Sequence, residues 1–282
     1  MDTEIAPAVG RRRLAVELRR LRVAARLTIQ DVASALECSV GKVSRVETGL
    51  VAARLQDVRE LLDLYAVPEP DRAALLDLVR QSRKKAWWHA YSDVVPPESA
   101  RYYGLEDGAA TIQEYASVLI PGLLQTERYA GTLMSATRTV EPSVQKRRLE
   151  LRMRRQQLLR RPEPPRLQVV LHESVLYNTM NGKDVTAEQL DRLAELSRKP
   201  HITIRVLPFS AGPHEAAGVP FAIFGFAGDP DVVYHEQPTR NNIIEAPDEV
   251  DWYVHAFDQA MELALAPRRS VEALRHAARS LA

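Results

Sequence analysis

The sequence predicts a multidomain protein in which an all-α domain of five helices is followed by an α/β (α+β) domain. Up to Val79, apolar residues recur with the period of 3.6 residues that is typical of amphipathic helices. Later, LQVVL at 167–171 and ITIRVL at 202–207 are β-rich apolar runs separated by a helical pattern. Strand, helix, strand is the order of a crossover unit, so we expect these two strands to be parallel. A chain of 282 residues, 45% of them hydrophobic, is large enough for two packed cores.

The segment that organises the first domain runs from Thr28 to Gly49 and reads TIQDVASALECSVGKVSRVETG. Its apolar residues mark one face of each of two short helices, and the break at 37–39 between them is too short for a strand. Thr28 and Ser39 are favourable N-caps, and Gly49 stands where a helix commonly ends in a left-handed residue. Two helices joined by a tight turn form a helix-turn-helix unit, whose second helix can lie in a DNA major groove.

The outward face of the second helix favours DNA binding over an ordinary pair of packed helices, which is the alternative. Gly41, Lys42, Ser44 and Arg45 are small, cationic or hydroxylated, and they suit contacts with phosphates and base edges. Val40 can touch a thymine methyl group. We therefore predict that double-stranded DNA contacts eight residues: Thr28, Gln30, Ser39, Val40, Gly41, Lys42, Ser44 and Arg45.

The stretch from Leu18 to Gly49 also resembles the XRE family of helix-turn-helix repressors. In that family an arginine on the first helix pairs with a glutamate near the end of the recognition helix, and Arg22 and Glu47 occupy the matching positions. The resemblance implies that these two residues form a structural ion pair and do not contact DNA. The sequence departs from the family where Val40 and Gly41 replace polar residues, so fewer side chains can donate hydrogen bonds to bases.

Three further helices complete the first domain. We expect one over residues 10–25 and one over 55–65, and a last one after two prolines. Composition changes near Lys85, where a basic stretch gives way to an aromatic and then a proline-containing one. We therefore predict a DNA-binding domain over residues 1–85 and an effector or partner-binding domain over residues 86–282. Trp87 and Trp88 are expected to dock the linker on this second domain, and stacking on a base or a ligand is the alternative.

The second domain is predicted to mix helices with short strands. The helix over 143–161 is rich in arginine, and its cationic face is either solvated, a second surface for phosphates, or a socket for an acidic partner. A hairpin is expected at Gly228-Asp229-Pro230. The predicted helices cover 104–118, a stretch from about Thr126, 143–161, 186–198, 248–265 and 270–281, and the predicted strands cover 167–171, 202–207, 219–226 and 232–236.

Several motifs of this domain resemble the effector domain of actinobacterial antitoxin-like XRE regulators. They include IPGLLQTERYA, LHESVL and ITIRVLPFSAGPH, and the resemblance covers nearly all of residues 86–282. It implies a regulator that is often encoded beside a small partner protein. It implies no catalytic residues.

Four polar residues form a candidate ligand pocket: His172, Glu173, His214 and Glu236. Three of them lie in the pairs His172-Glu173 and His235-Glu236, at or near predicted strand ends, where α/β proteins commonly bind ligands. The motifs HExxH, GxSxG and GxGxxG and the phosphate-binding loop are absent from the sequence. We therefore expect neither an enzyme nor a cofactor or metal. The alternative is a ligand-sensing regulator whose pocket keeps a residual or cryptic enzymatic activity.

Composition restricts the compartment and the partners. No apolar run is long enough to cross a membrane, the N-terminus lacks the apolar core of a signal peptide, and the single Cys38 cannot form an internal disulfide. We predict a cytoplasmic, antitoxin-like transcriptional regulator whose second domain receives a protein partner or a small-molecule signal. Its expected partners are double-stranded DNA, a second copy of the chain in a homodimer, and a small acidic protein encoded nearby, with no membrane.

Overall fold

The computed structural model describes residues 7–49, 51–83, 86–136, 141–179, 182–218, 220–236 and 241–281. Contacts divide the chain into two compact units. The first unit comprises Met1–Ala90 and Pro97–Gly108, and the second comprises Tyr91–Pro96 and Ala109–Ala282. The predicted fold class, an all-α region followed by a mixed α+β region, is confirmed. The boundary predicted near Lys85, a residue outside the described part of the chain, stays a prediction.

The described residues of the first unit form helices and no strands. The five expected helices pack around a core that includes Leu18, Val32, Val58, Leu62 and Val79, each with no exposed surface. A sixth helix, α6, closes the unit and contacts α1. The helices are α1 (Pro7–Ala24), α2 (Ile29–Ala35), α3 (Val40–Glu47), α4 (Leu55–Leu64), α5 (Asp71–Ser82) and α6 (Pro97–Gly108).

The second unit contains a six-stranded mixed sheet with strand order β3-β2-β1-β4-β5-β6. The first three strands are parallel and the other pairs are antiparallel. The predicted parallel crossover from β2 to β3 and the predicted hairpin from β4 to β5 are confirmed. The strands are β1 (Thr111–Ala116), β2 (Arg166–His172), β3 (Ile202–Leu207), β4 (Phe221–Phe226), β5 (Asp229–Glu236) and β6 (Asn241–Ile244), and the helices are α7 (Glu127–Ser135), α8 (Pro142–Arg155), α9 (Lys183–Leu196), α10 (Pro247–Leu263) and α11 (Pro267–Leu281).

Helices cover the sheet and make its core. From α10, Ala256, Phe257 and Ala260 pack on Tyr115, Val170, Ile223 and Val233 of four neighbouring strands. Helix α11 packs on α9 and on β3. All of these residues are buried, and Val170, Ile223 and Val233 come from apolar runs that predicted strands.

The helix predicted over 104–118 is wrong in its second half. Leu105, Ala109, Ile112 and Ala116 have helical spacing, but α6 ends at Gly108 and β1 begins at Thr111. The segment TIQEYA is flanked by β2 on one side and β4 on the other, and both pair with it along its length. Pairing on two sides therefore outweighs a helical pattern that the sequence also contains.

The two adjacent tryptophans belong to the first unit. The indole Nε1 of Trp87 donates a hydrogen bond of 2.9 Å to Asp107 Oδ1 of α6, and the two indole rings meet edge to face at 5.7 Å. Trp88 is only 2% exposed. The hydrogen bond of Trp87 joins it to α6, and the expectation that the pair docks the linker on the second domain stays a prediction.

Buried glutamines fix the irregular IPGLLQT segment between β1 and α7. Gln189 of α9, which has no exposed surface, accepts a hydrogen bond from the Thr126 backbone N–H at 2.6 Å and donates one to the Leu124 carbonyl at 2.9 Å. Gln125 donates to the Ile120 carbonyl at 2.8 Å and accepts from Arg152 at 2.7 Å. The motif IPGLLQTERYA, part of the second resemblance, therefore has a structural role here.

The arginines of α8 are largely engaged within the second unit. Arg147 lies 4.2 Å over the Tyr91 ring and forms ion pairs with Asp93 and Glu150. Arg155 is buried, and Arg152 is bonded to the glutamine network described above. These contacts leave less of α8 for a phosphate surface or an acidic partner than the sequence alone indicated.

Candidate nucleic-acid interface

Side-chain caps fix the starts of α2 and α3. Thr28 and Asp31 form a reciprocal capping box, in which Thr28 N–H donates to Asp31 Oδ2 at 2.8 Å and Asp31 N–H donates to Thr28 Oγ1 at 3.1 Å. The hydrogen bonds from Thr28 lower the pKa of Asp31. At the start of α3, Ser39 Oγ accepts from the Lys42 N–H at 3.2 Å. Both helices therefore begin at defined residues on either side of the turn.

The end of α3 is fixed by Gly49. Its φ of +66° lies in the left-handed region, and its N–H donates to the Val46 carbonyl at 3.1 Å. A Cβ at this position would lie 3.6 Å from Ala15 Cβ and from the Arg11 carbonyl oxygen of α1. Glycine is favoured because it adopts this conformation without strain.

The structure brings Arg22 and Glu47 together. Arg22 Nε donates to both carboxylate oxygens of Glu47, at 2.8 and 3.1 Å, and Arg22 Nη1 donates to the Leu27 carbonyl at 2.7 Å. Arg22 is 9% exposed and Glu47 is 7% exposed. The hydrogen bond to Glu47 raises the pKa of Arg22. The buried pair joins α1 to the end of α3 and is shielded from solvent.

Tyr65, just after α4, lies beside this pair. Burial and the charge of Glu47 raise the pKa of its phenol. Its hydroxyl is buried and has no hydrogen bond of acceptable geometry within the described part of the chain. Both members of the ion pair are themselves buried, so losing one partner would leave a buried charge, which is costly.

The outward face of α3 is only partly exposed. Val40, Gly41 and Arg45 are exposed, whereas Lys42 and Ser44, which the sequence also placed on this face, are half-buried. A Cβ at Gly41 would lie 3.3 Å from Arg45 Nη1, so the guanidinium extends back along the helix over the glycine. The lack of a side chain at position 41 leaves room for this course.

Lys42 is tied to the neighbouring helix. Its Nζ lies 2.8 Å from Asp57 Oδ1 in the first turn of α4. The sequence missed Asp57 because the packing of α4 against α3 is not visible in a local pattern. Lys42 is therefore not a free cation, although the sequence identified it as a DNA contact.

The other predicted DNA contacts have mixed roles. The hydroxyls of Thr28 and Ser39 form the caps described above. Gln30 is exposed in the first turn of α2. The structure therefore places all eight predicted residues on α2, α3 or the residues that cap them. The side chains of three of them already form hydrogen bonds within the protein: Thr28, Ser39 and Lys42.

Three of the four predicted pocket residues meet at the carboxyl ends of the parallel strands. The rings of His172 and His214 stack at 6.4 Å, and the Glu173 carboxylate accepts from the Phe209 N–H at 2.8 Å. Glu236 ends β5, which is separated from β1 by β4, and its side chain lies outside the described part of the structure.

Hydrogen bonds hold both histidine rings of this cluster in place. His214 Nδ1 lies 3.1 Å from the Gly212 carbonyl oxygen, and His214 Nε2 lies 3.1 Å from the Tyr115 hydroxyl. The Ser174 N–H donates to His172 Nδ1 at 3.3 Å. Burial, and secondarily His214, lowers the pKa of His172.

Residues that the sequence did not single out complete the cluster. Tyr115 is buried with its pKa raised by burial, and the exposed Phe209 ring meets His172 edge to face at 5.1 Å. The Ser174 hydroxyl lies 2.6 Å from His172 Nδ1 and donates to the Ser117 carbonyl at 2.7 Å. Tyr115 was hidden because the sequence placed it in a helix.

A separate open groove of about 610 Å³ lies among α7, α8 and α9. Arg128 at its edge forms ion pairs with Asp184 and Glu188. The groove is lined by Glu127, Arg128, Gly131, Thr132, Ser135, Leu149 and Glu188. None of these is a residue of the predicted pocket.

Among the residues that the structure describes, no three His, Cys, Asp or Glu side chains are grouped so as to hold a metal ion. None of the described helices is both long and apolar enough to cross a membrane.

Two families match parts of the chain. Residues 13–75 match a helix-turn-helix domain, and residues 99–276 match a domain of unknown function, DUF5753. The first match includes α2 to α4 and the outward face of α3. The second covers more than half of the chain. No curated protein and no solved structure gives a significant match.

Proposed function

We propose that this chain, which belongs to the family defined by the domain of unknown function DUF5753, is a sequence-specific DNA-binding regulator of transcription. The observation that carries the proposal is the exposed Arg45, extended over Gly41 on a helix whose start, end and inner face are all fixed. A major groove admits one α-helix, and a rigid cationic face can meet its base edges and phosphates. The positions of Arg22 and Glu47 support the finer proposal of an XRE-type regulator, and the motifs of the second domain, such as IPGLLQTERYA, support the antitoxin-like part of that proposal.

The proposed DNA contacts divide by chemistry. Val40, Gly41, Ser44 and Arg45 lie on α3 and are proposed to face base edges. Gln30, in the first turn of α2, is proposed to reach the phosphate backbone. Thr28 and Ser39 are proposed to act mainly through the helix starts that they cap, because their hydroxyls already form the caps.

The second unit is proposed to receive the signal. The exposed cations Lys146 and Arg160, on α8 and the turn after it, support a small acidic protein partner. The stacked His172 and His214, beside the exposed Phe209, support a small molecule as the other candidate signal.

No catalytic step is part of the proposal. The alternative, a sensor with residual or cryptic enzymatic activity, draws on the contact of 2.6 Å between the Ser174 hydroxyl and His172 Nδ1. We prefer a regulator without catalysis because that hydroxyl also donates to the Ser117 carbonyl and so ties two turns together. A DNA-binding regulator acts where the chromosome lies, so the proposed location is the cytoplasm. The proposed assembly is a homodimer, because two copies of a helix-turn-helix unit can bind two half-sites.

Selection of duplexes from a randomised DNA library by the full chain tests the proposal. We expect a short motif to be enriched, and we expect Arg45→Ala to abolish the enrichment because the extended guanidinium is the main candidate for reading a base. Arg80→Ala, an exposed arginine of α5 in the same unit, is the matched control and should leave the motif unchanged. A wild-type chain that enriches no sequence would contradict sequence-specific binding.

A further inference from the structure

The ion pair of Lys42 lies at a partly shielded position between two helices. Lys42 Nζ and Asp57 Oδ1 are 2.8 Å apart, and the side chains are 43% and 17% exposed. Asp57 stands in the first turn of α4, where a negative charge is also stabilised by the helix dipole. A carboxylate held in this way is a persistent partner for the Lys42 ammonium.

Arg45, one turn further along α3, is in a different situation. It is exposed, and no acidic side chain forms an ion pair with it in the ranges that the structure describes. Its guanidinium lies over Gly41, on the exposed side of the helix. The two cations that the sequence treated alike are therefore one restrained lysine and one available arginine.

We infer that Asp57 is a specificity-determining residue of the DNA-binding unit, because it withholds Lys42 from the phosphate backbone and leaves Arg45 as the available cation of α3. The inference rests on the DNA-binding function proposed above. A lysine ammonium is a point charge that any phosphate can satisfy, and phosphate contacts add affinity without regard to sequence. A guanidinium can form two parallel hydrogen bonds with guanine, and this contact depends on sequence. Restraining Lys42 therefore lowers binding to random DNA more than binding to the preferred sequence.

The experiment measures binding of the full chain to a fluorescent duplex of random sequence over a series of salt concentrations. Asp57→Asn removes the charge and keeps the shape of the side chain, so Lys42 becomes free to neutralise one phosphate. The slope of log affinity against log salt should steepen by about 0.9. Between 50 and 200 mM salt, the fold-decrease in affinity should therefore be roughly three to four times larger for the variant than for the wild type. The ratio of affinities for a selected and a random duplex should fall.

Two comparisons separate this effect from a general change of charge. Asp77→Asn removes an exposed carboxylate from α5 of the same unit, and it should leave the slope unchanged. In a Lys42→Gln background, Asp57→Asn should also leave the slope unchanged, because no ammonium remains to be released. A steeper slope in that background, or in Asp77→Asn, would overturn the role of Asp57.

The outcomes also distinguish the inference from the function on which it rests. If the wild type binds the random duplex with a clear salt dependence and Asp57→Asn has the same slope, only the role of Asp57 fails. If neither the wild type nor any variant binds duplex DNA, the proposed function fails, and the inference fails with it.

Discussion

At the scale of single residues, the chemistry of the first unit follows from which charges have partners. Arg22 and Glu47 are both charged and both buried, and they satisfy each other. The identities of these residues were readable from the sequence through the resemblance. The partner of Lys42 was not, because Asp57 is fifteen positions away and meets it only after α4 packs beside α3.

Arg22→Met should strongly destabilise the first unit. The substitution leaves the Glu47 carboxylate buried without its partner, which costs about 3–5 kcal/mol of unfolding free energy. Chemical denaturation of the full chain measures this loss. Arg20→Met is the control on the same helix, because its pair with Glu17 is exposed and contributes at most about 1 kcal/mol. Equal stabilities for Arg22→Met and Arg20→Met would contradict a structural role for the buried pair.

His172 should make the stability of the second unit depend on pH. Burial lowers its pKa in the folded chain, so below the usual histidine pKa of about 6.5 the unfolded chain binds more protons than the folded chain. Stability is therefore lost as pH falls below about 6.5. The free energy of unfolding is measured at pH 7.5 and 5.5, roughly one unit on either side of that value. Its decrease between the two should be smaller for His172→Gln than for the wild type. His276→Gln, at an exposed position of α11, is the control and should behave like the wild type. A decrease in His172→Gln equal to that of the wild type would contradict a role for His172 in the pH dependence.

At the scale of elements, the sequence predicted what local patterns determine. Capping residues placed the starts of α2 and α3, and apolar β-rich runs placed β2 and β3. It failed at β1, where residues spaced for a helix form a strand because β2 and β4 pair with it on both sides. Consequently Tyr115 and its contact with His214 were missing from the candidate pocket.

Gln189→Leu should loosen the segment between β1 and α7. The change leaves the Thr126 N–H and the Leu124 carbonyl without their buried partner, at a cost of about 1–3 kcal/mol for each group. Unfolding in urea measures the loss. Gln157→Leu, at an exposed position after α8, is the control and should change stability by no more than about 0.5 kcal/mol. A Gln189→Leu variant as stable as this control would show that the segment does not depend on α9.

At the scale of the whole molecule, the fold-class prediction is confirmed, whereas assembly depends on surfaces that meet only when two chains associate. One helix-turn-helix unit touches few base pairs, and Val40 and Gly41 offer no side-chain donors for base readout. A two-fold dimer doubles these contacts on half-sites about one helical turn apart, or a multiple of it. We expect the second unit to supply the dimer interface because it is the larger one.

Light scattering of the full chain tests this expectation. At tens of micromolar, roughly the range in which weak dimers form, the measured mass should be twice the 31.7 kDa of one chain. A mass of one chain at that concentration would contradict the homodimer, and cooperative binding to two half-sites would then require another explanation.

The central claim is that α3, with Arg45, is the surface that meets DNA. Hydrogen–deuterium exchange of the full chain, with and without a saturating duplex, tests it most directly because it locates the contact without any substitution. We predict slower exchange on DNA addition in the peptides that cover α2 and α3, from Thr28 to Glu47, and unchanged exchange in α8. Unchanged exchange from Thr28 to Glu47, or protection confined to α8, would contradict the account.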